Sequence, residues 1–167
     1  MPRELLYARR LTEWVLRLAP EASEPLRLAA RCQHLCRWTI PRESYPMNRP
    51  GYLKWRQDLK EFHASKAGEI LAEAGYDPAT VARVQALNRK QNLAADPEAQ
   101  VLEDALCLVF LEHQLTPLLQ KISEEKAVGA LQKSWNKMSA RAREIALTLP
   151  LGPEARRVLS RALKPAG

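Results

Sequence analysis

The chain has 167 residues, 46% hydrophobic and 27% charged, enough for one domain with a sizeable core and too apolar for a disordered chain. No apolar run approaches the roughly 20 residues of a membrane span, which excludes a transmembrane helix, and the opening MPRELLYARR is charged from its third residue, unlike a secretory signal. Cys32, Cys36 and Cys107 cannot all pair, and without a secretory signal they are expected as reduced thiols in a cytoplasmic protein. The net charge of +7 is unevenly spread: residues 31–66 carry eight basic and three acidic groups, 67–120 three and eight, and 121–167 ten and four. With such segregation folding either brings surfaces of opposite sign together or creates a basic face, and a basic face attracts phosphorylated metabolites, nucleic acid or acidic proteins.

The periodicity is helical almost throughout, and alternating strand patterns are absent. Leu5, Ala8, Leu11, Trp14, Val15 and Leu18 form one stripe and predict a helix over about 3–18. Ser23 has the character of an N-cap with Pro25 in the turn behind it, so a second helix is predicted to run to about Trp38. Residues 39–52, TIPRESYPMNRPGY, hold three of the twelve prolines and are predicted as a loop. A third helix is predicted from about Leu53 to Ala74, stopped by Gly75, and a fourth after Asp77-Pro78, with Val81, Val84 and Leu87 inward. Asp96-Pro97 opens a fifth and most apolar helix that ends near Pro117, Ser123 a sixth reaching Trp135, and Ser139 a seventh closed by Pro150 and Gly152. A short basic helix over 153–164 leads into the tail of the segment 153–167. The expected architecture is an all-α, single-domain bundle of about seven to eight helices over 1–167, with no internal repeat and no linker.

Phosphate-loop, dinucleotide-binding, nucleophile-elbow and zinc-finger motifs are all absent. The informative segment is Arg31 to Ala67, which holds five of the ten aromatic residues, two of the three histidines and eight basic groups. His34 and His63 lie on either side of its proline-rich loop. Glu103 and Asp104 are adjacent acids inside the most apolar helix, flanked by Leu102, Leu106, Leu108 and Val109. A buried carboxylate needs a metal, an arginine or a hydrogen-bonded histidine. Two histidines and a carboxylate suit a divalent transition metal; the structural alternative is an ion pair from Asp104 to Arg31, Arg37 or Arg56, with His34 merely packed.

The strings ELLYARRLTEW, RCQHLCRW-x-IPRESYPMNRPGYLKWR, FHA, LEDALCLVFLEH and LQKSWNKMS resemble domain-of-unknown-function family 4202, a likeness covering residues 4 to about 149 that implies no activity. In the order of its parts the chain also resembles an HD-domain phosphohydrolase. LRLAARCQHL looks like the helix of the His-Asp doublet, FHASKAGEILAEAGYDPATVARVQAL like the following His helix and its partner, and PEAQVLEDAL like the late-Asp helix. That resemblance places metal ligands at His34, His63 and Asp104. Leu35 stands where the doublet Asp is expected and Tyr7 near the expected early His, so one weakly held divalent ion at most is implied. Glu103 could replace a lost ligand, although helix neighbours point about 100° apart; Glu112 is a further acid that a two-metal site would need.

The expectation is therefore an HD-like bundle that is an enzyme or degenerate enzyme, a metal-dependent hydrolase acting on a small phosphorylated or anionic substrate. His34, His63 and Asp104 carry the catalytic ion. Arg37, Arg42, Arg49, Lys54 and Arg56 clamp the anion, and Tyr45, Tyr52 and Trp55 stack a base or ring. The alternative is a non-catalytic binding module for RNA or an acidic protein, using segments 31–66 and 121–164 and, in the second, Arg141, Arg143, Arg156 and Arg157.

Overall fold

A computed structural model describes residues 1–92 and 94–165. All regular structure among them is helical, and none of their helices is long and apolar enough to cross a membrane. The helices are α1 (Arg3–Leu18), α2 (Glu24–Arg31), α3 (Arg49–Glu73), α4 (Pro78–Asn88), α5 (Pro97–Val109), α6 (Leu115–Leu119), α7 (Glu124–Lys137), α8 (Ala140–Thr148) and α9 (Pro153–Leu163). The chain divides into two compact units, Met1–Leu102 and Glu103–Gly167, with the boundary inside α5. The three cysteines are free thiols.

In the first unit, α2 packs on α1 and on α4, and α4 packs on α3. Leu11, Val15, Leu26, Ala29, Ala64, Ala67, Val84 and Leu87 are buried there, where faces of the four helices close on one another. Capping fixes where α2, α3 and α4 start. Ser23 accepts from Leu26 N, Asn48 from Gly51 N and Asp77 from Thr80 N, each with proline in the turn that follows. Asp96 accepts from Glu98 N and Ala99 N and pairs with Arg83, which also reaches Glu98. Glu98 in turn receives the Ser23 hydroxyl at 2.6 Å, so one charged network joins the starts of α2 and α5 to α4. The Arg83 hydrogen bonds hold the Asp96 carboxyl down at about 2. α3 closes with Gly75 at φ +89 and bonds from Gly75 N to Ala72 O and Tyr76 N to Leu71 O, the paired pattern of a Schellman motif. α4 closes the same way with Lys90 at φ 56, a conformation that a residue with a Cβ enters at some cost.

In the second unit, α5 continues through a π-helical turn, Phe110–Gln114, into α6. Pro117 has no N–H for the carbonyl of His113, four residues back, and its ring crowds that carbonyl, so the helix widens there. α7 packs against α9, and α6 against both. Ser123 and Ser139 cap α7 and α8. Arg157 and Arg161 reach Glu124 in the first turn of α7, while Arg156 donates to the Leu147 and Leu149 carbonyls at the end of α8.

Two boundaries differ from the sequence expectation. α2 stops at Arg31 rather than about Trp38, and Cys36 adopts φ 51 in the turns that follow. Gln33 takes the Ala29 carbonyl with its side chain, and His34 stacks on Tyr7, so local contacts replace helical continuation. α3 begins at Arg49 rather than Leu53, because Asn48 caps it and Pro50 fits its first turn. The loop 39–52 therefore shrinks to 3-10 turns at Arg37–Thr39 and Arg42–Ser44 and a short link. It is drawn tight where Arg42 donates to Tyr45 O and Pro46 O and Trp55 Nε1 donates to Ile40 O at 2.9 Å.

The tightest backbone approach is at Gly51, where a Cβ would collide with the Pro46 carbonyl, whereas a Cβ at Gly129 in α7 meets nothing within 4 Å. Gly51→Ala is expected to lower the unfolding free energy by about 1–3 kcal/mol, and Gly129→Ala to raise it by about 0.5–1 kcal/mol, both read from urea denaturation.

Candidate functional site

The first unit gathers aromatic, imidazole and guanidinium groups from α1, from the turns after α2 and from α3. Tyr7 of α1 stacks on His34, with ring centroids 4.0 Å apart and planes inclined by 8°. His63 of α3 stands 6.1 Å from His34, centroid to centroid. Arg37, three residues beyond His34, places Nη1 3.1 Å from His34 Nε2. A guanidinium can only donate, so Nε2 accepts, the ring is neutral and its proton sits on Nδ1. The Arg37 guanidinium also lies 5.3 Å from the centre of the Trp55 ring, and Arg56 donates to the Tyr52 hydroxyl at 3.3 Å.

The electrostatics follow from this packing. Burial first, then Arg37, His63, Arg56 and Arg3, pushes His34 down to about 3. Burial and Arg37 push His63 down to about 4. Arg37 is itself lowered, by burial and then by Arg56, with Arg3 adding to the effect. Among the described residues, none of Arg3, Arg37, Arg42 and Arg56 pairs with a carboxylate. His63 is 7% exposed, and its Nε2 is buried with no hydrogen-bond partner. The junction is thus strongly positive, with two neutral imidazoles and one orphaned nitrogen.

The remaining residues predicted to clamp or stack a ligand divide by what they touch. Tyr45 and Lys54 both bind Asp58, each at 2.7 Å: Tyr45 thereby ties the loop to α3, and Lys54 makes an exposed pair within α3. Trp55 is buried, with its indole N–H on a backbone carbonyl and a guanidinium over its ring, which makes it core and not a stacking platform. Arg42 holds loop carbonyls, with its guanidinium 5.8 Å from the Tyr52 ring. Arg49 is exposed at the start of α3, and Tyr52 is partly exposed between Arg42 and Arg56. Of the predicted clamp residues, Arg37 touches His34, and Arg56 acts on it through its charge alone.

Asp104 belongs to the second unit. It is 4% exposed, and its oxygens accept from Ser139 N at 2.8 Å and Ser139 Oγ at 2.6 Å. It thereby fixes the residue that caps α8. Neighbouring Glu103 is also buried, 3.9 Å from Lys137 Nζ, and Glu112 lies 3.2 Å from His113 Nε2. The described residues contain no group of three or more His, Cys, Asp or Glu able to hold a metal ion. His34 Nε2 already accepts from a cation, and the arginines around the imidazole pair oppose a second one. The residues present do not fit the divalent ion that the HD resemblance implies for His34, His63 and Asp104, with or without Glu103.

The model of the family described as a domain of unknown function (DUF4202) matches residues 1–159. The chain belongs to the DUF4202 family. No curated protein and no solved structure matches it. In this DUF4202 chain the sequence motifs led to His34, His63, Arg37 and Arg56 but not to Arg3 or to the amide pair of half-buried Gln33 and buried Asn88, joined at 2.7 Å. The one signal for the pair was a polar residue directly after the apolar turn Val84 to Leu87.

Two outcomes follow from these environments. Because both imidazoles titrate far below the ordinary 6.5 when folded, the unfolded chain binds more protons between about pH 4 and 6.5. Stability is complete above that window and is lost as pH falls through it, by up to ~1.4 kcal/mol per pH unit for each histidine. Urea unfolding at a series of pH values reads the slope, and the double change His34→Gln, His63→Gln flattens it. Asp104→Ala is expected to cost about 2–3 kcal/mol of stability, measured by chemical denaturation, without altering anion binding in the first unit.

Proposed function

We propose that the protein binds a small phosphorylated or otherwise anionic molecule at the junction of Tyr7, His34, Arg37, Arg56 and His63. One observation carries the reading: Arg37, half-buried against a neutral imidazole, joins Arg3 and Arg56 in a cluster that no carboxylate balances. A guanidinium removed from water is costly unless an anion meets it. The planar fork of arginine suits an oxyanion with two oxygens side by side. His63 Nε2 adds a buried nitrogen for a further ligand atom. With His34 and His63 both neutral near pH 7, the arginines supply the charge and the imidazoles supply neutral hydrogen-bonding positions. Hydrolysis of the bound ester is the enzymatic extension of this reading; the residues in place support recognition of the anion, and no metal-activated water is invoked.

The basic stretch 121–164 lends less support to an RNA-binding module. Arg157 and Arg161 are matched by Glu124 and Glu125, and Arg143 and Arg156 donate to backbone carbonyls within the second unit.

The reading is tested by titrating inorganic phosphate and sulfate into the protein in a calorimeter and by following thermal unfolding with added anion. Saturable binding and a raised midpoint are expected. Arg37→Met is expected to weaken binding by about 10- to 100-fold, as for the loss of one charge-assisted interaction. Its stability without ligand should hold or rise, because the change removes an unbalanced buried charge. Anion affinity unchanged in Arg37→Met sinks the reading.

A further inference from the structure

Besides His63 Nε2, one other buried side-chain nitrogen among the described residues lacks a hydrogen-bond partner, Asn88 Nδ2. Its orientation is determined by its neighbour. Gln33 Nε2 donates to the Ala29 carbonyl at 3.2 Å, which identifies that end of the Gln33 amide as the nitrogen. The same nitrogen lies 2.7 Å from the Asn88 amide and so faces Oδ1. Asn88 is therefore turned with its NH₂ group, two donors, away from Gln33 and without an acceptor, while the residue is only 4% exposed.

The register of α3 and α4 places this donor at the level of the imidazoles. Gln85 Nε2 donates to the Ala64 carbonyl at 3.0 Å, and Arg89 Nε meets Glu61 Oε2 at 3.0 Å. Asn88 lies between those two positions on α4, and His63 lies between Glu61 and Ala64 on α3. Gln33, which orients Asn88, directly precedes His34. The two orphaned nitrogens are thus at one level of the junction. A buried donor without an acceptor is costly and rare in native proteins, and one that persists calls for an account.

We propose that Asn88, positioned by Gln33, reads an uncharged oxygen of the ligand, so that the site takes a small phosphate monoester bearing a hydroxyl or carbonyl group in preference to one with a purely hydrocarbon body. This rests on the anion-binding reading above: the phosphate lies on Arg37 and Arg56, and the oxygen of the organic part meets the Asn88 amide.

Calorimetric titration of inorganic phosphate, propyl phosphate and glycerol 3-phosphate tests the assignment. Glycerol 3-phosphate is expected to bind at least about tenfold more tightly than propyl phosphate, since a site built to hydrogen-bond an oxygen rejects the analogue lacking it. Asn88→Ala should bring the two esters together and leave inorganic phosphate unchanged. Gln33→Ala, at a less buried position, should narrow the gap in the same direction, and it decides the matter if Asn88→Ala does not fold. Equal affinity of the two esters for the unaltered protein, or a preference that survives in the variants, overturns the role of Asn88 while leaving anion binding intact. Failure of all three probes to bind overturns both.

Discussion

A guanidinium resting on a neutral imidazole, with no carboxylate to balance it, gives the first unit its chemical character. The Arg37–His34 contact defines the tautomer of the ring, holds the turn after α2 against α3 through Trp55, and leaves a net positive charge in a half-buried place. Tyr7 covers the other side of this arrangement by stacking on His34. The end of α2, the turns between Cys32 and Ser44 and the middle of α3 are all arranged around that contact. Had a carboxylate been placed beside Arg37, the same backbone would carry an ordinary buried ion pair with no capacity left for a ligand.

The reason for the imbalance lies in where the acids go. The acidic stretch from 67 to 120 is engaged in structure: Asp77 caps α4, Asp96 and Glu98 hold Arg83, and Asp104 binds Ser139. Within the basic stretch, Asp58 binds Tyr45 and Lys54, and Glu61 binds Arg89. None of these carboxylates is directed at Arg37. The charge segregation visible along the chain therefore survives folding at the histidine junction, whereas in the second unit Glu124 and Glu125 meet Arg157 and Arg161 of α9.

Most helices were legible because their ends carry local chemistry. Ser23, Asp77, Ser123 and Ser139 cap as their residue types require, with the proline that follows Asp77 and the glycine after α3 agreeing with them. The segment 32–52 was legible as important but not in detail. Gln33 and Arg42 act through backbone carbonyls several residues away, and Asn48 was hidden among prolines that were read as loop. His34 and His63 stand out because each lies among apolar and basic residues on one side of the same proline-rich loop; in the structure His34 is in the turns after α2 and His63 on α3. Asp104 was read as a ligand because it is acidic in an apolar helix; burial was right, but its partner, Ser139, is a capping residue 35 positions away that no local spacing announces. Asn88 had no motif at all, since its significance rests on which end of an amide faces Gln33.

Tyr7 and Leu35 are the two positions at which the sequence departs from the HD pattern expected of it from the order of its parts, and both departures act in the same direction. A tyrosine at 7 offers a flat ring to His34 where a further imidazole would offer a lone pair, and a leucine at 35 removes the carboxylate that would neutralise a cation. Arg37 then takes the nitrogen of His34 that a metal would use. Each change lowers affinity for a positive ion, and the arginine raises affinity for a negative one. Cation and oxyanion sites require opposite surrounding charge, so a junction with these residues can serve one but not both, and the unbalanced arginines are the reason an oxyanion is the ligand we propose for it.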